Sequence, residues 1–171
     1  MKTVLKLPTG AYEALVAHLL PGDTPNEQAA FLFARPRGTE QGVALDVIDS
    51  ARLAAADFAV QAPDYLELAD ATRARLIKRA HDLDASLVEM HSHPGPWDAA
   101  FSPSDLRGLS ETVPHMWWRL NKRPYAAIVI APSGFDAMVW LEGPRSPQEL
   151  DSLAAGSQIL KPTNLTIRAR R

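Results

Sequence analysis

The sequence contains no cysteine. That absence excludes disulfides, thiolate metal sites, thiol proteases and thioester-forming ligases in one step. Any metal must be held by histidine or carboxylate. Long apolar runs are also missing: short strand-like segments such as Ala126–Ala131 are the longest, far below membrane-spanning length. The opening residues Met1–Pro8 carry no apolar core of a signal peptide, so the expected address is cytoplasmic. A formal net charge of −2 gives no electrostatic reason to expect nucleic acid or a membrane surface as partner. The basic end, Arg168, Arg170 and Arg171, reads as a solvated terminus. No glycine pair has the spacing of a dinucleotide or P-loop fingerprint, and there is no Gly-x-Ser-x-Gly elbow.

What is present suits one compact domain over residues 1–171. Thr9 or Gly10 opens a helix running to Leu20, stopped by Pro21-Gly22. The run Ala29–Ala34 reads as a strand buried on both faces and closed by Pro36. Val43–Ile48 alternates as a second strand antiparallel to it. Residues 51–66 are ambiguous, with a short strand before Pro63. Asp70 caps an amphipathic helix to Asp82. Ser86–His93 is a strand ended by Pro94, and Ser102 starts another helix. Ala126–Ala131 and Ala137–Leu141 form a hairpin, and a last, weak helix falls in Ser146–Ala155. Hairpins mixed with helices, without regular βαβ alternation, give an α+β fold class.

The informative stretch is His91-Ser92-His93-Pro94 followed by Ser102-Pro103-Ser104-Asp105. Residues two apart on a strand share a face, so His91 and His93 present a bidentate imidazole clamp at a strand end. Ser102 at an N-cap, proline next and an acid three residues on is the grammar of a helix start. That grammar alone accounts for Ser102 and Asp105 as a cap. Beside the histidine pair it also aims a carboxylate and a hydroxyl at them. Two histidines and one carboxylate leave a fourth position open, as in catalytic rather than structural sites. Glu27, ahead of the apolar strand, is a candidate base; a Thr24-x-x-Glu27 capping box is the alternative.

Together, Glu27 before a strand, His91-x-His93-Pro94 and Ser102-x-x-Asp105 resemble the JAMM metalloprotease family, also called the JAB or MPN domain. The resemblance covers about residues 10–142 and leaves a C-terminal tail of about 158–171. It implies a mixed or antiparallel central sheet wrapped by helices, with a layering like that of cytidine deaminases. It further implies one zinc per chain held by His91, His93 and Asp105. Glu27 would hold the attacking water and take its proton, and Ser102 would hydrogen-bond the tetrahedral intermediate. The implied activity is an isopeptidase or peptidase cutting after the C-terminus of a ubiquitin-like protein, by deconjugation or precursor processing. A zinc amide hydrolase of a small or carrier-linked substrate, and a non-catalytic scaffold binding protein partners, are the alternatives. Seven residues separate Pro94 from Ser102, and the lean chain resembles the bacterial branch of the family.

Other residues carry less. Trp97, between the ligand groups, is a candidate for substrate contact or for loop packing. Met116, Trp117 and Trp118 read as core, and His115 as a bystander rather than a fourth ligand. His18 and His81 read as solvent-facing. Glu89 shares strand parity with His91 and could orient a ligand, but a plain exposed charge is the preferred reading.

Overall fold

The computed structural model describes residues 1–171. In chain order the elements begin β1 (Lys2–Leu7), α1 (Ala11–Leu19), β2 (Ala29–Thr39) and β3 (Gly42–Arg52). Next come β4 (Phe58–Gln61), β5 (Leu66–Leu68), α2 (Asp70–Asp82), β6 (Ser86–Ser92) and α3 (Pro103–Arg119). The chain closes with β7 (Tyr125–Ala131), β8 (Gly134–Trp140), β9 (Gln148–Glu149), β10 (Ser152–Ala155), β11 (Gln158–Leu160) and α4 (Leu165–Ala169). The main sheet runs β11-β10-β1-β3-β2-β6-β7-β8-β9, and β4 with β5 makes a separate hairpin. The sheet is mixed: β1 lies parallel to β3 and β10, and β6 lies parallel to β7. The fold is α+β, as the patterning indicates.

Strand β2 explains the layering. All of Ala29–Ala34 is buried, because successive side chains alternate between two cores. Ala29, Phe31 and Phe33 join a cluster with Leu76, Ile77, Leu109 and Val113 from α2 and α3. Ala30, Leu32 and Ala34 join a second cluster with Leu15 and Leu19 from α1. Burying one such Leu or Phe contributes roughly 1.5–3 kcal/mol relative to leaving it exposed. Odd-numbered residues of β2 and β6 therefore face the α2/α3 side.

Several expectations need correction. Strand β2 passes through Pro36 to Thr39 rather than closing there. Beyond Ala34 it has lost β6 and pairs with β3 alone, and an edge tolerates a residue without an N–H. Asp70 is the first residue of α2, not its cap: Ala69 occupies that position without a side-chain bond. The expected helix over 146–155 is absent. Leu150 and Leu153 have helical spacing, yet both are buried against the second cluster from the strand-rich edge, where β10 pairs with β1 and β9 with β8. Strand β1, an element beyond those expected, alternates as exposed Lys2 and Lys6 against buried Thr3, Leu5 and Leu7. No helix is long and apolar enough to cross a membrane.

Candidate metal centre

Register brings the chemistry together. Strands β2 and β6 are antiparallel with Ala29 opposite His91. Carrying that register two residues outward sets Glu27 opposite His93, on the same face. The ladder does continue: Ser92 N–H donates to the Gln28 carbonyl at 3.1 Å, and Gln28 N–H donates to Ser92 Oγ at 2.9 Å. Glu27 is fixed from the other side by β4, its N–H donating to the Ala62 carbonyl at 3.0 Å and its carbonyl accepting Gln61 Nε2 at 2.9 Å. No helix follows Thr24, whose hydroxyl accepts Asn26 N–H instead, so the capping-box alternative for Glu27 falls away.

Helix α3 supplies the remaining acid. Ser102 is its N-cap and Pro103 its first residue; Ser102 Oγ accepts Asp105 N–H at 3.1 Å while Asp105 Oδ2 accepts Ser102 N–H at 2.7 Å. The same Oδ2 lies 3.3 Å from His91 Nε2 and 3.1 Å from His93 Nε2. The two Nε2 atoms are 3.2 Å apart, and Glu27 Oε1 is 3.5 Å from His93 Nε2. Cap and candidate ligand are thus one carboxylate. Glu27, His91 and His93 also form a compact metal-capable group with all ligand atoms within 4.8 Å of one another. Asp105 lies outside that mutual grouping but nearer to both histidines than Glu27 is.

The donor set fits a metal. Ligands about 2.05 Å from a small divalent ion sit about 3.3 Å apart along a tetrahedron edge. The three separations among His91, His93 and Asp105 match that edge. With both imidazoles neutral and protonated on Nδ1, two nitrogen lone pairs and one carboxylate oxygen meet at one point.

Burial and charge set the protonation of the group. Burial pushes the Glu27 carboxyl up to about 7, against the opposing pull of His91 and His93. Asp105 is desolvated too, but hydrogen bonds with His91 and His93 overcome that and hold it well below the ordinary carboxylate range. His91 is buried, which favours its neutral form, yet the Asp105 hydrogen bond and the nearby acids win and raise it. Without metal, Glu27 binds its proton more tightly in the fold than in the unfolded chain, and so does His91. The chelator-treated protein is therefore expected to lose stability as pH rises from about 4.5 to about 7 and beyond. Melting temperatures at pH 5 and pH 8 check this, and Glu27→Gln should flatten the slope. A slope unchanged by that substitution would contradict the assignment.

A cavity of about 380 Å³ opens against the group, with Glu27, His91 and Asp105 in its wall. One side is the β4–β5 hairpin through Tyr65–Leu68, the other α3 through Gly108, Leu109 and Thr112. Its size is that of an ordinary ligand site. Glu89, read as an exposed charge, is instead enclosed here and accepts the Tyr125 hydroxyl; burial pushes its carboxyl up. Nothing local in the sequence distinguishes it, because the Tyr125 partner lies 36 residues away. Ser104, unremarked in the sequence, lines the cavity, whereas Ser102 does not.

Trp97 is 76% exposed and outside the cavity wall. Its indole lies on Gly95, where any Cβ would come within 2.3 Å of the ring. Of the aromatic-rich end of α3, Met116 is buried and Trp117 packs on the core, but Trp118 is exposed and His115 takes no part in the site. His18 is not solvent-facing: its Nε2 lies 3.0 Å from the Ala29 carbonyl at the start of β2.

With this geometry described, comparison with known proteins adds three findings. A family model described as prokaryotic homologs of the JAB domain matches residues 8–140. No curated protein matches the sequence. The solution structure of protein DSY2949 from Desulfitobacterium hafniense is similar, with a TM-score of 0.56 and 19% identity over 90% of this chain and 93% of that one. At that identity the likeness is one of fold.

Proposed function

Since the chain belongs to the prokaryotic homologs of the JAB domain, we propose that it is a zinc peptidase acting after the C-terminus of a ubiquitin-like protein. The family includes zinc isopeptidases. The observation that carries the reading is the convergence of His91, His93 and Asp105 at tetrahedral-edge spacing, with Glu27 beside them. Imidazole and carboxylate without thiolate suit zinc in a catalytic setting. Zinc, when bound, acts as a Lewis acid and lowers the pKa of a coordinated water.

The protein's own residues supply the rest. His91, His93 and Asp105 hold the ion. Glu27 accepts a hydrogen bond from the attacking water, takes its proton and passes it to the leaving amine. The Ser102 hydroxyl accepts from Asp105 N–H and keeps its own proton to donate to the developing oxyanion, a role worth about 3 kcal/mol in other hydrolases. The cavity between the hairpin and α3 receives the extended tail. Trp97, exposed on the loop between the ligands, is available to the body of the substrate.

The test uses the zinc-loaded protein and a ubiquitin-like protein ending in glycine, joined through that glycine to a lysine side chain or a reporter. Cleavage after the glycine, abolished by chelator and restored by zinc, is the expected result. Tight binding with no cleavage would assign a scaffold. Turnover of a small amide but not of the protein conjugate would assign the metabolite reading instead.

A further inference from the structure

The two halves of the candidate metal centre are joined by residues 94–101, which lead from the end of β6 to the start of α3. This loop makes only two hydrogen bonds, and both go to the C-terminal segment. The Thr163 hydroxyl donates to the Ala99 carbonyl at 2.8 Å, and Phe101 N–H donates to the Thr166 hydroxyl at 2.9 Å. Ala99 and Phe101 are buried, and the Phe101 ring stands edge-on to the His91 imidazole with centroids 6.0 Å apart. The next residue is Ser102, whose cap fixes Asp105.

Both threonines are anchored in turn. Thr163 N–H donates to the Phe135 carbonyl at 2.8 Å, and Thr166 N–H donates to Asp136 Oδ2 at 3.0 Å. Asp136 is fully buried in β8, its other oxygen accepting Ala137 N–H. Between the threonines, Asn164 turns the backbone through a left-handed φ of 55°, and Ile167 plugs into the α2/α3 core. A continuous path therefore runs from β8 through Thr166 and Phe101 to His91 on one side and to Asp105 on the other. All of the C-terminal segment lies beyond the residues that the family model matches. A segment that merely anchored the chain end would need Ile167, but not two hydroxyls turned onto this loop.

We propose that Thr163 and Thr166 are positioning residues for the metal-ligand set: they clamp the 94–101 loop so that α3 starts where Asp105 meets both histidines. The proposal rests on the metal reading of the site. A carboxylate displaced by an ångström loses its place on the tetrahedron, so loosening the clamp weakens binding without removing any ligand.

The test compares Thr163→Val, Thr166→Val and the double variant, which keep side-chain shape and delete the hydroxyls, with Thr166→Ser, which keeps one. Three quantities are read: the zinc dissociation constant by chelator competition, the melting temperature of the metal-free protein, and amide exchange by residue. Zinc binding is expected to weaken about tenfold in Thr166→Val, within the range for groups that orient metal ligands. It should weaken further in the double variant and return to the wild-type value in Thr166→Ser. Wild-type zinc affinity in all three valine variants, even with lowered melting temperature, overturns the proposal and leaves an end anchor. If the wild-type protein takes up no zinc, the metal reading itself fails and amide exchange decides the clamp. Faster exchange across residues 102–106 in Thr166→Val but not in Thr166→Ser then upholds it; unchanged exchange overturns it.

Discussion

Glu27→Gln is expected to fold, retain its metal and lose at least about 100-fold in turnover, the usual scale for a missing general base. The hydrogen bonds that position the Glu27 backbone, to Ala62 and from Gln61, survive the substitution. The two side chains have nearly the same shape. What glutamine lacks is a basic oxygen: its amide carbonyl can accept a hydrogen bond from the water but cannot take its proton at neutral pH. Because the proposed ligand set is three other side chains, zinc content measured by elemental analysis is expected to match that of the wild type. Substrate affinity should also persist, since the tail is held by the cavity walls, and the inert variant should trap its conjugate. Near wild-type turnover in Glu27→Gln would remove the mechanism even with zinc in place.

Asp105 is where the observed cap and the proposed metal ligand can be told apart. Asp105→Ala is expected to lose its metal, because His91 and His93 alone form a poor clamp. It also loses the reciprocal bond from Ser102 N–H, at about 1 kcal/mol for a lost cap. Asp105→Asn keeps an oxygen for the cap while giving up the negative charge that attracts the ion. Because the His91 and His93 bonds hold the Asp105 carboxylate in the metal-free fold, the variant's metal-free melting temperature should fall at neutral pH, by less than in Asp105→Ala, while zinc affinity falls at least about tenfold. His91→Ala and His93→Ala should empty the site without touching the cap. Full zinc occupancy in both Asp105 variants would reduce the residue to a helix cap and move the third ligand elsewhere, with Glu27 the nearest candidate.

The parts of this molecule that sequence makes legible are those governed by short-range rules. Two histidines at strand spacing share a face whatever the rest of the chain does. Ser102-Pro103-x-Asp105 caps a helix through contacts three residues apart, and the apolar run Ala29–Ala34 announces a strand buried on both sides. What escapes is set by pairing at long range. Leu150 and Leu153 carry helical spacing, but parallel pairing of Ser152–Ala155 with Val4–Leu7 gives these residues a sheet to complete, and tertiary contact outweighs a weak local preference. Glu89 escapes for the same reason, since its enclosure depends on Tyr125 from the neighbouring parallel strand. The clamp by Thr163 and Thr166 links residues about 65 positions apart, and two threonines in a proline-flanked tail give no local sign of it.

The irregularity in β2 has a bearing on how this sequence can change. Pairing between β2 and β3 shifts register between Phe33 and Ala34, whereas pairing between β2 and β6 runs without a break from Ala29 to Ala34. The bulge is thus confined to the side away from the histidines. A residue inserted or deleted in β3 near Val47–Asp49, beyond its unbroken pairing with β1, has somewhere to be absorbed, and descendants of this chain can drift in length there. A single insertion between Glu27 and Ala34 has no such outlet: it would turn Glu27 to the opposite face of the sheet, leaving every residue of the site present and the base on the wrong side of the wall.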